Sequence, residues 1–311
     1  MLKSQTEKMI DFKPISIDDK RIYENYLWGE GVRGCEFSFA NLYLWGRQNI
    51  AFIQDQIALF SQFNRRSVYP YPLGGQDKKA VIDAIISDAA ARGIPCRITG
   101  ICSDDRCVLE ALYPGRFRFH CDEDSFDYVY DISDLADLHG KKYHSKRNHI
   151  YRFSEAFPGF KAVTVNEDNI GMIKEMADSW YEKRILENPN ADYHMERAAL
   201  NRAFMHYREL GMDGLAIVHE ETVLAFSLGT RLSADTFDVQ FEKADGDIQG
   251  AYATVNREFA RYIRDKYPDI KFLDREEDMG SEGIRKAKRS YHPHHMIEKW
   301  WACLLEDGYD Y

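Results

Sequence analysis

Residues 271–293 read KFLDREEDMGSEGIRKAKRSYHP, and they carry the side chains best suited to moving a proton. Three carboxylates, Glu276, Glu277 and Asp278, are followed by four cations, Arg285, Lys286, Lys288 and Arg289. An apolar run at 270–273 precedes them, and Ile284, Ala287 and Tyr291 follow at helical spacing, so the stretch predicts strand, acidic turn, helix. Open α/β sheets place their ligands just beyond the carboxyl ends of strands. A carboxylate in such a turn can act as a general base, with Glu276 favoured and Asp278 beside it, while Arg285 and Lys288 answer the negative charge or hold an anionic substrate. The plainer reading is a solvated helix in which Glu282 supports Lys286 at i,i+4 and the turn stays wet. Three like charges ahead of the helix are costly unless a cation answers them, which favours a site.

A second charged stretch, residues 140–157 (GKKYHSKRNHIYRFSEAF), holds five cations, Lys141, Lys142, Lys146, Arg147 and Arg152, with no acid before Glu155. Tyr143, Ile150, Phe153 and Phe157 keep helical spacing, and Pro158-Gly159 is the stop. Lysines in a first helical turn oppose the dipole by about 0.3–1 kcal/mol each, so Lys142, Lys146 and Arg147 are expected to meet an anion. That anion is either a phosphate of a bound ligand or the upstream trio Asp131, Asp134 and Asp137.

The elements that must position these stretches come in two sets. Phe12-Lys-Pro-Ile-Ser-Ile-Asp-Asp19 recurs as Phe160-Lys-Ala-Val-Thr-Val-Asn-Glu-Asp168, each a short strand running into a polar helix start. In both halves there follow a hairpin, a glycine-bearing turn before an amphipathic helix (Gly74-Gly75, then Gly250), a short strand, and a helix ending near Tyr113 or Tyr291. The second half is longer by about one helix, for which residues 193–210 have the right length. The pattern predicts a tandem duplication of an α/β unit with mixed sheets: residues 1–138, a joining basic helix at 139–159, and residues 160–311.

Ala40-Asn41-Leu42-Tyr43, Ser145-Lys146-Arg147-Asn148-His149-Ile150 and the run from Asp274 to Pro293 together resemble the tandem acetyltransferase-like proteins related to the carboxy-terminal domain of phosphatidylglycerol lysyltransferase. More distantly they resemble the Fem-type peptidoglycan aminoacyltransferases. The resemblance covers most of the chain. It implies two acetyltransferase (GNAT)-like folds, transfer of an acyl or aminoacyl group from a donor such as aminoacyl-tRNA to an amine or hydroxyl, and a tyrosine acid at Tyr291. The acceptor it allows is a small molecule, a peptide or a lipid headgroup, although the long membrane-embedded portion of the lysyltransferase proper has no counterpart in this sequence. Acetyltransferases of this fold hold coenzyme A phosphates at a helix start through Gln/Arg-x-x-Gly-x-Gly/Ala. The matching stretch, Lys243-Ala-Asp-Gly-Asp-Ile-Gln-Gly-Ala251, lacks that signature, and Asp245 and Asp247 would repel a pyrophosphate, so an acyl-CoA donor is disfavoured.

Composition narrows the field further. With 311 residues, 44% hydrophobic content and a net charge of −10, the chain can build two cores and is a poor bulk polyanion binder outside the basic stretch. Six cysteines without C-x-x-C spacing predict free thiols, no metal is expected, and the lack of a leader or an apolar run of membrane-spanning length suggests a cytoplasmic protein. The rival function is a non-catalytic RNA- or phospholigand-binding protein built from degenerate acetyltransferase folds.

Overall fold

Alternating apolar residues around a short polar turn fold the chain back on itself in each half. The structure, a computed structural model, describes residues 9–46, 48–63 and 66–305. It divides into one unit that runs to Phe126 and resumes at Ile297, and a second unit, Asp127–Met296.

The first unit contains β1 (Lys13–Pro14), α1 (Lys20–Leu27), α2 (Phe39–Leu44), β2 (Gln48–Ile53), β3 (Gln56–Phe63), β4 (Arg66–Pro70), β5 (Leu73–Gly74), α3 (Lys78–Arg92), β6 (Arg97–Ile101), α4 (Ser103–Leu112) and β7 (Phe117–Cys121). The second contains β8 (Asp127–Asp131), α5 (Ile132–Asp137), α6 (His144–Ala156), β9 (Lys161–Thr164), α7 (Ile170–Glu187), α8 (His194–Met205), β10 (Asp213–His219), β11 (Thr222–Arg231), β12 (Thr236–Ala244), α9 (Ala251–Lys266), β13 (Phe272–Asp274), α10 (Glu282–Arg289) and β14 (His295–Ile297). The last strand, β15 (Trp300–Leu304), returns to the first sheet.

The sheets run β1-β2-β3-β4-β6-β15-β7, with β5 on β3, and β14-β8-β13-β12-β11-β10-β9. Each has one parallel pair, β4 with β6 and β12 with β13, and its other registered pairs are antiparallel. Mixed sheets of this kind, built twice, are the α/β architecture read from the sequence. The division between the units is displaced from the expected helix at 139–159. Residues 127–138 form β8 and α5 of the second unit, and β15 leaves the second half to sit between β6 and β7. Each sheet thus takes the strand beside its parallel pair from the other half of the chain. A sequence repeat records the order of elements, not which sheet the last strand joins, so this exchange leaves no trace in it.

Local chemistry accounts for the boundaries. Asp77 caps α3 by accepting from the amides of Lys79 and Ala80, and Gly93 ends it in the left-handed conformation. Glu220 and Glu221, both at positive φ, make the tight turn between β10 and β11. The core of the second unit packs Tyr128, Tyr130, Ile217, Phe237, Val255, Phe259 and Tyr143 around α9, with Ile150 and Phe153 of α6 laid against them.

Candidate active site

In the second unit the parallel pair is short. Thr236, Phe237 and Asp238 lie opposite Phe272, Leu273 and Asp274, after which β13 ends while β12 runs on to Ala244. The strands part there and leave a fork. A register shift between Leu228 and Thr230 brings Glu242 of β12 opposite Ser227, and the strand passes so close at Gly229 that a Cβ would lie 2.2 Å from the Asp238 carbonyl oxygen.

Glu242 and Arg275 bridge this fork. Arg275 Nη2 donates to Glu242 Oε1 at 2.7 Å, Ser227 Oγ donates to Oε2 at 3.2 Å, and Asn256 Nδ2 of α9 donates to the same oxygen at 3.4 Å. Burial works against the Arg275 charge, and the Glu242 carboxylate outweighs it, so the guanidinium is held more firmly protonated than usual. Two polar atoms of this group are enclosed without a hydrogen-bond partner among the described residues: Arg275 Nη1, a donor, and Asn256 Oδ1, an acceptor. The amide orientation of Asn256 follows from the carboxylate beside it, which needs a donor. Buried polar atoms left unpaired cost free energy and call for a partner.

Tyr291 and Lys146 complete the fork. The Tyr291 ring is 5% exposed and lies 5.1 Å from the Arg275 guanidinium; burial pushes its phenol well up, so it stays an O–H donor. Lys146 Nζ sits 3.7 Å from the Tyr291 ring centroid and donates to Ser290 Oγ at 2.6 Å. Burial and the nearby Arg275 charge pull its ammonium down to about 8, against the opposing pull of Glu242. The Tyr143 hydroxyl fixes this segment by donating to the Tyr291 carbonyl at 2.9 Å. Charges in the fork sum to a surplus cation, which suits an oxyanion or a phosphate.

The acidic turn is built differently from its expected role. Asp278 is fully enclosed, and its oxygens accept from Arg285 Nε (2.7 Å) and Nη2 (2.9 Å), Tyr128 Oη (2.6 Å) and the amide of Gly280 (2.9 Å). The Arg285 hydrogen bonds hold its carboxyl far below the usual range, so it clasps the turn and has no oxygen to offer as a base. Lys288 is spent likewise, its ammonium donating to the carbonyls of Arg275, Glu276 and Glu277. Glu276, at positive φ, belongs to a separate acidic face with Asp238 and Asp274, which stand opposite one another in register. Burial, together with Glu276, Asp274 and Asp127, drives the Asp238 carboxyl well up.

The basic helix is partly answered from within. Lys142 pairs with Asp134 at 2.9 Å, and Arg147 donates to the carbonyls of Leu138 and Gly140, closing the end of α5. Asp131 caps α5 and Asp137 pairs with Arg264, so one member of the aspartate trio meets the basic stretch. Of the cations expected to bind an anion, Lys146 alone lies in the fork, and Lys141 and Arg152 stand on the exposed surface. The sequence alone does not single out Glu242, Arg275, Ser227 or Asn256. Arg275 is hidden among the acids at 274–278, and the adjacent charges Glu242-Lys243 near the carboxyl end of a strand are the available signal.

In the first unit the fork of β4 and β6 is filled by its own side chains. Arg33, 6% exposed, pairs with Glu30 at 2.6 Å and with Asp105, while Lys78 reaches Glu30 at 3.3 Å and the carbonyls of Pro72 and Gly74. Cations and carboxylates balance there, so the group carries no surplus charge, although Arg33 Nε and Tyr71 Oη lack a hydrogen-bond partner among the described residues.

Residues 31–303 match the family described as phosphatidylglycerol lysyltransferase, C-terminal. The chain belongs to that family. A conserved protein of unknown function from Bacteroides thetaiotaomicron is 36% identical and superimposes with a TM-score of 0.90, covering 96% of this chain and 100% of its own. L-PGS from Bacillus licheniformis shares the fold at 14% identity and TM-score 0.65 over 92% of each chain. FemX does so at 9% identity and TM-score 0.62, over 95% and 98%. A tandem GNAT protein from the clavulanic acid pathway matches with a TM-score of 0.50 at 9% identity over 96% and 99%, so the duplicated acetyltransferase fold is common to these proteins. An uncharacterised protein of Mycoplasmoides gallisepticum is 24% identical over 188 residues, which is 59% of this chain and 58% of that relative, less than two thirds of its length. No helix among the described residues is long and apolar enough to cross a membrane.

Proposed function

We propose that the second unit transfers an aminoacyl group from a charged tRNA to an amine or hydroxyl acceptor, with the fork between β12 and β13 as the reaction centre. One observation carries this reading: Arg275 Nη1, an enclosed cationic donor without a partner among the described residues, at the point where the two strands part. Attack on a carbonyl places negative charge on its oxygen, and a fixed donor in a low-dielectric site stabilises that charge far better than water does. Glu242 orients the guanidinium, and the Tyr291 phenol adds a second donor beside it. Family membership supports transfer chemistry. The acceptor class, whether small molecule, peptide or lipid headgroup, is open to the assay below.

A coenzyme A donor fits less well. The turn before α9 carries Asp245 and Asp247, both bound by Lys183 (3.1 and 2.5 Å), and the carbonyl of His149 lies against Gly250 at the helix start, where a pyrophosphate would need the amides. The exposed cations Lys141 and Arg152 on the basic stretch are the proposed contact for the tRNA backbone. Affinity for tRNA should fall with salt at a log–log slope of about −0.7 per single-strand phosphate contacted, and Lys141→Glu with Arg152→Glu should flatten that slope.

The test is to incubate the protein with a pool of labelled aminoacyl-tRNAs and a panel of amine and hydroxyl acceptors, with labelled acetyl-CoA in parallel. Label passing from tRNA to an acceptor supports the reading; saturable tRNA binding without transfer would leave a binding protein, and transfer from acetyl-CoA alone would replace the donor.

A further inference from the structure

Within that fork one group has no assigned task. Lys146 extends from α6 over the Tyr291 ring at 3.7 Å, hydrogen-bonded to Ser290 Oγ at 2.6 Å, and its charge is felt by Arg275 and Glu242. Acyl transfer needs a group that takes a proton from the attacking amine or hydroxyl and returns one to the leaving oxygen. The other members of the fork are poorly fitted to it. Arg275 stays protonated, Tyr291 keeps its phenolic proton, and Glu242 is engaged by donors from Arg275, Ser227 and Asn256.

We propose that Lys146 is the proton carrier of the transfer reaction, a catalytic residue contributed by the helix that precedes the second repeat. The proposal rests on the reading of the fork as an aminoacyl-transfer centre. In the first step the neutral amine accepts the proton of the nucleophile while the new bond to the acyl carbon forms and the carbonyl electron pair moves to an oxyanion held at Arg275 Nη1. In the second step the carbonyl re-forms, the bond to the leaving hydroxyl breaks, and the Lys146 ammonium gives its proton to that oxygen. No other reactant is consumed. The groups facing Lys146 act in opposition: Arg275 and burial favour the neutral amine, while Glu242 and the face of the Tyr291 ring favour the ammonium, so both forms are accessible near pH 8.

Two measurements on the 311-residue chain decide it. Competitive labelling of lysines with acetic anhydride across pH 6–11 reads the titration of Lys146 whether or not a substrate is known. A midpoint near pH 8, two units or more below the surface lysines, is expected, and a midpoint with the surface lysines overturns the proposal. The pH profile of kcat/KM for aminoacyl-tRNA is then compared among the parent, Lys146→Arg and Lys146→Gln. The parent should rise to a plateau near pH 8; Lys146→Gln should lose 10²–10⁴-fold in kcat with tRNA affinity and Tm retained, and Lys146→Arg should not restore the limb. A Gln variant with the parent's rate and profile overturns the role of Lys146. An inactive parent whose Lys146 still titrates near pH 8 would instead overturn the transfer reading, and with it the role.

Discussion

Asp278 and Asp238 are both fully enclosed carboxylates, and their surroundings drive them in opposite directions. Arg285 and Tyr128 hold Asp278 ionised, whereas burial among Glu276, Asp274 and Asp127 makes Asp238 retain its proton into a range where a free aspartate has lost it. The sign of each linkage follows. A folded pKa below the unfolded one stabilises the protein above the unfolded value, and that stability is lost as pH falls through the folded value. A raised folded pKa does the reverse, and stability declines as pH rises from the unfolded value through the folded one. Asp278→Asn should therefore lower unfolding stability at pH 7 by about 3 kcal/mol, since it leaves the Arg285 charge without its carboxylate. Asp238→Asn, which copies the protonated form, should leave stability at pH 7 unchanged or raise it. Urea melts of the two variants from pH 4 to 8 would show the divergence, and equal losses in both would refute this account of the two sites.

At the scale of elements, α6 does two jobs with one face. Ile150 and Phe153 bury it against α9, and this places Lys146 over Tyr291 and the His149 carbonyl against Gly250. Gly250 has φ of 88° and a Cβ there would sit 2.2 Å from that carbonyl oxygen. Gly250→Ala should cost at least about 1–2 kcal/mol for the left-handed conformation alone. It should also shift α6 and so reduce transfer, which melting curves and kcat together would detect; a variant as stable and as active as the parent would mean that this packing is loose. These elements were largely legible in the sequence because their signals are local: the heptad-like spacing of Tyr143, Ile150 and Phe153, the Gly250 break, the apolar alternation around Glu220-Glu221. The fork was not. Glu242 and Arg275 lie far apart in the chain and meet only because β12 and β13 pair briefly and then separate, a fact of tertiary pairing. For the same reason the acids at 276–278 looked like a site: their cations, Arg285 and Lys288, were visible, but not that these are consumed in holding the turn.

At the scale of the whole molecule, two copies of one fold have diverged. The first fork is closed by Arg33, Glu30, Asp105 and Lys78 in balanced charge pairs, although Arg33 Nε there also lacks a hydrogen-bond partner among the described residues, while the second keeps surplus positive charge. The exchange of strands makes the first sheet depend on β15, Trp300–Leu304. Truncation after Met296 would remove β15 from between β6 and β7 and should abolish amide protection in both strands, measured by hydrogen exchange; protection retained there would show that β15 is dispensable. The central claim, that the second fork performs acyl transfer through Arg275, is tested most directly by single-turnover transfer from aminoacyl-tRNA by the parent and Arg275→Lys. Lysine keeps the charge and can still pair with Glu242, but it lacks the second N–H fork atom. A fall of about 10²–10³-fold in the transfer rate is expected, with tRNA binding intact. Transfer at the parent's rate in Arg275→Lys would contradict it.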